Sequence, residues 1–123
     1  MLKQIMLVGL GSAAGGMFRF ILGKWIYHLY PQTFPLSTLF INVLGCFLIG
    51  LLYGFSIKTG TLSAEVRLLL TTGVCGGFTT FSAFAYENIQ LMKNGDYTMV
   101  LVYITASVVM GIVAVFLGME LYR

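Results

Sequence analysis

The sequence predicts an all-α membrane protein with four transmembrane helices, and three observations support this fold class. Of the 123 residues, 59% are hydrophobic and 9% are charged, whereas a soluble domain carries roughly a quarter charged residues. The mean hydropathy is +0.94. A membrane-spanning helix needs about 20 mainly apolar residues, so the length suits four spans with short connections. We therefore expect residues 1–123 to form one transmembrane domain, without an extramembrane enzyme.

Polar turns and prolines divide the chain into four apolar stretches. Aromatic residues after the first stretch are typical of a membrane-interface belt, and Pro31 and Pro35 end that helix in a short loop. Ser63 begins a helix start signal, because Glu65 follows two residues after this candidate N-cap. Residues 93–96 form a turn. The predicted spans are residues 5–23, 36–57, 68–92 and 97–119.

Small residues recur four apart in three of these stretches, a spacing that allows close helix contact in lipid. They are the pairs Gly11 and Gly15, Gly50 and Gly54, and Ser107 and Gly111. Packing within one chain and packing at a dimer interface are equally compatible with this pattern. The two cysteines, Cys46 and Cys75, lie in apolar sequence, where buried free thiols are expected.

Basic residues are balanced between the two ends of the predicted spans. Membrane proteins normally concentrate Lys and Arg on the cytoplasmic side. Here the end with both termini carries Lys3, Lys58, Arg67 and Arg123. The other end carries Arg19, Lys24 and Lys93. This balance favours insertion in both orientations and an antiparallel homodimer, whose symmetry resembles the inverted repeats of transporters. The alternative is one orientation set by the small remaining bias.

The third stretch is a poor continuous helix, because three glycines and four threonines fall within residues 71–80. Gly76 and Gly77 each cost about 1 kcal/mol relative to alanine in a helix interior. A break around these glycines would free backbone carbonyls, which are hard oxygen ligands for a small cation. A kink whose carbonyls bond to threonine hydroxyls is the alternative interpretation. Phe78, Phe81 and Phe84 are spaced by three, which places them roughly on one helical face.

Polar side chains within the apolar stretches are candidates for an ion path. Asn42 lies one turn after Thr38, and its amide can donate to an anion or join two helices. Tyr103 and Ser107 place two hydroxyls on one face of the fourth span. Glu87 and Arg19 are the charges deepest in apolar sequence, and ionisable residues in a membrane are functional candidates.

A motif in the third stretch resembles the signature of the Fluc (CrcB) fluoride channel family: it reads GGFTTFSAF at residues 76–84, with Glu87 following. The matching segments elsewhere are GGMFR at residues 15–19, NVLG at residues 42–45, and Tyr103 with Ser107 in the fourth span. The resemblance covers the whole chain. Two positions depart from the family pattern, because Ala83 and Gly111 stand where relatives carry hydroxyl side chains.

The resemblance implies a passive fluoride channel in the plasma or bacterial inner membrane, built as a dual-topology homodimer with two pores. A structural sodium ion at the dimer centre would be held by the backbone carbonyls of Gly76 and Thr79. The implied anion path consists of Thr38, Asn42, Phe81, Ser82, Phe84, Tyr103 and Ser107. Arg19, Gly77, Thr80 and Glu87 would support it. The expected partners are fluoride, sodium, membrane lipid and a second copy of the chain, and not nucleic acid.

Two other functions remain as alternatives. Small multidrug transporters share the size and the four helices, but they need a carboxylate in the first helix to exchange protons for a cationic drug. Residues 1–30 contain no Asp or Glu. A membrane assembly factor without transport activity would leave the clustered Gly, Thr and Phe residues without a purpose.

Overall fold

The computed structural model describes residues 1–123 as an all-helical fold without strands. Three long helices are continuous: α1 (Leu2–Leu29), α2 (Leu36–Thr59) and α6 (Tyr97–Glu120). The third span, Ala64–Lys93, is divided into shorter segments. All four spans are long and apolar enough to cross a membrane. The prediction of four membrane-spanning helices is confirmed at this level.

The first helix is longer than the sequence predicted. It extends to Leu29 instead of ending near residue 23, so Trp25 and Tyr27 belong to the helix. Nothing before Pro31 interrupts the backbone hydrogen bonds, and an interfacial aromatic residue does not by itself end a helix. The residues that flank the apolar run therefore mark where that run ends, but the helix continues beyond it.

Local sequence signals at the other helix ends are confirmed. Gly60 terminates α2 with a φ of 62°, in the left-handed region that glycine adopts without strain. Ser63 caps the third span, because its side chain accepts a hydrogen bond from the Val66 N–H at 3.2 Å. Gly95 has a φ of 78° in the turn between the third and fourth spans. These turns join neighbouring helices with few residues.

The third span changes geometry four times along its length. It begins as α3 (Ala64–Leu68), widens into a π-helical segment (Leu69–Cys75) and continues as α4 (Gly76–Phe78). Thr79 and Thr80 are extended, with ψ angles of 157° and 118°. The last segment, α5, covers Phe81–Lys93. The predicted break is therefore present, but it lies at the threonines and not at Gly76 and Gly77, which are helical.

Glycines bring the helices into backbone contact. A Cβ on Gly11 would lie 2.8 Å from the Gly73 Cα, and one on Gly15 would lie 2.8 Å from the Phe78 backbone nitrogen. Across α2 and α6, a Cβ on Gly54 would lie 2.8 Å from the Met119 carbonyl oxygen. Both GxxxG pairs therefore pack helices within one chain.

The chain has a small internal core and a large apolar outer surface. Leu39, Leu91, Val100 and Tyr103 form the buried cluster, and Phe34 and Phe84 pack against it. Most other large apolar side chains are exposed, which fits a protein solvated by lipid. Both cysteines are free thiols, as expected.

Candidate ion pathway

The break in the third span is held open by one side chain of α2. The Asn42 Oδ1 accepts a hydrogen bond from the Thr80 N–H at 2.8 Å, and its Nδ2 donates to the Thr80 carbonyl at 3.0 Å. The amide therefore replaces the helical partners that the extended Thr80 backbone lacks. One N–H of Asn42 remains available to another acceptor.

Backbone carbonyls just before the break lose their usual helical donors, and those of Gly76 and Thr79 are among them. In a continuous helix the Thr80 N–H would bond to the carbonyl of Gly76, but here it donates to Asn42. The Ala83 N–H would likewise bond to the carbonyl of Thr79, but it donates to the Thr80 Oγ1 at 3.2 Å. The Thr79 hydroxyl is engaged elsewhere, because it donates to the Cys75 carbonyl at 2.9 Å. The carbonyls of Gly76 and Thr79 thus keep lone pairs that no helical donor uses.

Glu87 organises a second polar cluster between α2, α5 and α6. Its Oε1 accepts a hydrogen bond from the Thr38 hydroxyl, and its Oε2 accepts one from the Tyr103 hydroxyl, each at 2.6 Å. Tyr103 is fully buried. Its ring makes edge-to-face contacts with Phe34 and Phe84, at centroid distances of 5.5 Å and 4.9 Å. Glu87 is therefore held between three helices by two hydrogen bonds.

A cavity of about 360 Å³, which we call the central cavity, lies beside the break. It collects most of the residues that the sequence singled out, from three spans. They are Asn42, Gly76, Thr79, Thr80, Phe81, Phe84 and Ser107. The Ser107 Oγ is buried and has no hydrogen-bond partner within the chain, so its donor is free for a ligand.

A larger cavity of about 840 Å³, which we call the basic vestibule, lies on the other side of Thr80. Its lining includes Arg19, Lys24 and His28 of α1, Thr38 of α2, and Thr80. No carboxylate lies within 4 Å of Arg19 or Lys24. The vestibule therefore presents uncompensated positive charge, and Thr80 lines both cavities.

The phenylalanines do not share one face, so that prediction is wrong. The break between Thr79 and Phe81 changes the helix direction, and Phe78 is buried in the packing of the preceding segment. Phe81 is 79% exposed at the start of α5. Its ring centroid lies 5.6 Å from that of Phe84, and both rings line the central cavity. Only these two rings can meet an ion there.

Four of the predicted site residues line neither cavity: Tyr103 and Glu87, which belong to the Glu87 cluster, and Ser82 and Gly77. Ser82 is exposed, and its Oγ is 3.3 Å from the Thr80 Oγ1. Gly77 lies against α1, where an added Cβ would be 2.7 Å from the Ser12 Cα. Sequence analysis missed Lys24 and His28 as vestibule residues, although their position within three turns of Arg19 could have indicated it.

The fold and these cavities define an α-helical membrane protein with polar groups gathered around a cavity at a broken span. The family model described as "CrcB-like protein, Camphor Resistance (CrcB)" matches residues 6–119. The chain belongs to this family. The family consists of ion channels and not of enzymes.

Similar proteins match over nearly their full length. A protein of Azobacteroides pseudotrichonymphae genomovar. CFP2 is 44% identical over 118 residues, which cover 96% of this chain and 94% of the relative. One of Prosthecochloris aestuarii is 44% identical over 121 residues, covering 98% and 94%. One of Rhizobium meliloti (strain 1021) is 44% identical over 122 residues, covering 99% and 98%. Each is named "Fluoride-specific ion channel FluC".

Proposed function

We propose that this protein is a fluoride-selective channel that exports fluoride passively. The observation that carries the proposal is the meeting of two cavities at Thr80, with unpaired cations in the basic vestibule and hydrogen-bond donors in the central cavity. The choice of fluoride as the ion rests on the names of the relatives. A small multidrug transporter is not favoured, because the relatives are named as channels and α1 has no carboxylate.

Selectivity would come from replacing the hydration shell of a small, hard anion. Transfer of a bare ion into an apolar medium is prohibitively costly, so each position on the path must offer a donor. Arg19 attracts the anion at the vestibule. Beyond Thr80, the remaining Asn42 N–H, the Ser107 hydroxyl and the electropositive ring edges of Phe81 and Phe84 take over.

The Glu87 cluster supports this path from the side. The hydroxyl hydrogens of Thr38 and Tyr103 are both directed at the carboxylate. They are therefore not free donors for fluoride while those bonds hold. Their role in the proposal is to fix α5 against α2 and α6, so that Phe84 keeps its place beside the central cavity.

A sodium ion would fit the broken span as a structural cofactor. The carbonyls of Gly76 and Thr79 lack their helical donors, and carbonyl oxygens are suitable ligands for a hard cation. Gly76 is exposed on the single chain, so a second copy could bring an equivalent pair of carbonyls. The ion would neutralise these dipoles and hold two broken spans together.

The working assembly in this proposal is an antiparallel homodimer in the plasma or bacterial inner membrane, with one pore for each chain. Near-equal basic charge at the two ends supports dual topology. Reporter fusions to each terminus should report both sides of the membrane in comparable amounts. A single orientation would remove the antiparallel dimer.

Fluoride efflux from liposomes tests the function directly. Purified protein should release trapped fluoride, measured with a fluoride electrode, and should leave trapped chloride inside. Protein-free liposomes are the control for leakage. Equal release of the two halides, or no release of fluoride by folded protein, would contradict the proposed selectivity.

Substitutions at the two carbonyl residues provide a matched test of the sodium site. A Cβ on Gly76 meets only the Thr71 carbonyl oxygen at 3.9 Å, which is ordinary contact. Gly76→Ala should therefore leave the single chain folded while weakening the dimer and its fluoride flux. Thr79→Ser should be nearly silent, because the carbonyl is retained. Anomalous scattering that finds no cation at the dimer centre would refute the site.

A further inference from the structure

The basic vestibule is much larger than a path for a monatomic ion requires. Its volume of about 840 Å³ falls within the range of roughly 300–1,000 Å³ that is typical of sites for drug-sized ligands. Arg19 and Lys24 line it without ion-pair partners, and no acidic residue is among the lining side chains. Such a space can accommodate an anion larger than a halide.

A helix end adds to this positive potential. Helix α2 begins at Leu36 without a side-chain cap. Ser37 and Thr38 of its first turn line the vestibule, and their N–H groups make no backbone hydrogen bond. Unsatisfied N–H groups at a helix start attract carboxylates. Together with Arg19 and Lys24, they provide two independent kinds of anion donor in one cavity.

Aromatic rings form the other part of the wall. Phe20, Trp25 and Tyr27 line the same cavity. The Lys24 ammonium lies 5.3 Å from the centroid of the Phe20 ring, so a cation is already held against an aromatic face. A ligand that combines one negative charge with one flat ring would contact both parts of this wall.

We propose that the basic vestibule is a binding site for small aromatic carboxylates. The carboxylate is held by Arg19, Lys24 and the start of α2, and the ring packs against the aromatic wall. A bound molecule would lie in the cavity lined by Thr38 and Thr80. Thr38 belongs to the Glu87 cluster, and Thr80 lies at the break in the third span. The site does not depend on fluoride being the transported ion, because the binding is measured without flux.

The chain provides its own reporter for this site. Trp25 is the sole tryptophan and lines the vestibule. We use 4-iodobenzoate as the probe, because its iodine quenches tryptophan fluorescence on contact. Titration of the purified full-length protein, without fluoride, should give saturable quenching. Arg19→Gln and Lys24→Gln should each weaken the apparent affinity by roughly tenfold, as expected for loss of a charge-assisted contact.

Two controls separate the site from unspecific partition into detergent or apolar grooves. Lys58→Gln removes a cation at the opposite end of α2 and should leave the titration unchanged. The uncharged analogue 4-iodobenzamide should quench only weakly. Linear quenching, equal affinity for the uncharged analogue, or unchanged affinity in folded Lys24→Gln would each overturn the proposal. Lys24 is exposed, so this variant keeps the test decisive if Arg19→Gln fails to fold.

Discussion

The two halves of the third span are held to the protein by different forces. Before the break, backbone meets backbone: Gly73 lies against Gly11, and a Cβ on Gly77 would be 2.7 Å from the Ser12 Cα. After the break, side chains carry the contacts. The Glu87 carboxylate binds the hydroxyls of two other helices, and Asn42 binds the backbone of Thr80.

The first half of the span therefore anchors it to the protein, and the second half carries its polar groups. Close packing is a principal source of helix association in lipid, because lipid chains are as apolar as the helices. The first half therefore fixes the position of the span, and Gly73 and Gly77 leave no room for added atoms against α1. The second half holds the polar groups that the proposed ion path needs. Its geometry depends on individual hydrogen-bond donors and acceptors, each of which a single substitution can remove. Substitutions in the first half should therefore cost the most stability, and those of the exposed rings the least.

The largest effect is expected in the glycine contact between α1 and the first half. In Gly15→Ala the new Cβ would lie 2.8 Å from the Phe78 backbone nitrogen, and rigid backbone cannot move aside. We expect a loss of about 3 kcal/mol or more, seen as aggregation on gel filtration and a lower melting temperature in detergent. Gly9→Ala is the matched control in the same helix, because nothing lies within 4 Å of its Cβ.

The sequence predicted the four spans and their turns because hydropathy, proline and glycine act locally. It also predicted that the third span is broken, but it placed the break at Gly76 and Gly77. Those glycines remain helical, and in Gly77 close contact with α1 outweighs weak helix propensity. The actual break depends on Asn42, which is 38 positions away from Thr80. No local pattern could reveal that partnership.

Candidate site residues were easier to find than their partners. Thr38, Glu87 and Tyr103 stood out as polar groups in apolar sequence, but their mutual hydrogen bonds depend on how three helices pack. The same limit applied to the phenylalanines, whose regular spacing suggested one face until the break redirected the chain. The sequence identified which polar and aromatic groups are available. Only the packing of the helices determines which of these groups contact one another.

Asn42→Ala should cause the next largest loss, because it removes both bonds to the Thr80 backbone. We expect about 2–3 kcal/mol together with strongly reduced fluoride efflux, measured by thermal unfolding and in liposomes. Asn88→Ala is the control, since that amide donates only to the Phe84 carbonyl of its own helix. If both alanine variants lose equal flux, the break does not depend on Asn42.

A smaller loss is expected for Tyr103→Phe, which deletes one hydrogen bond to Glu87 but keeps the ring between Phe34 and Phe84. About 1.5 kcal/mol should be lost, because hydrogen bonds to charged groups contribute that much. Tyr86→Phe, on the exposed face of the same α5 helix as Glu87, should be silent in thermal unfolding. Combining Tyr103→Phe with Thr38→Val should be non-additive, since both act on one carboxylate. Additive losses would mean that the two hydroxyls act independently.

The ring variants should cost the least stability and separate packing from ion contact most clearly. Phe81 is 79% exposed, so Phe81→Ile removes little contact within the chain beyond that with the Phe84 ring. Phe84→Ile loses the edge-to-face contact with Tyr103 and should cost about 1 kcal/mol. If ring edges meet fluoride, both variants lose the electropositive rim and should suppress efflux in liposomes while gel-filtration profiles stay unchanged. If the rings only pack, Phe84→Ile should be the more damaging of the two and Phe81→Ile should conduct like the wild type. Near wild-type efflux from both would exclude the ring edges from the path and leave the Asn42 amide and the Ser107 hydroxyl as its donors.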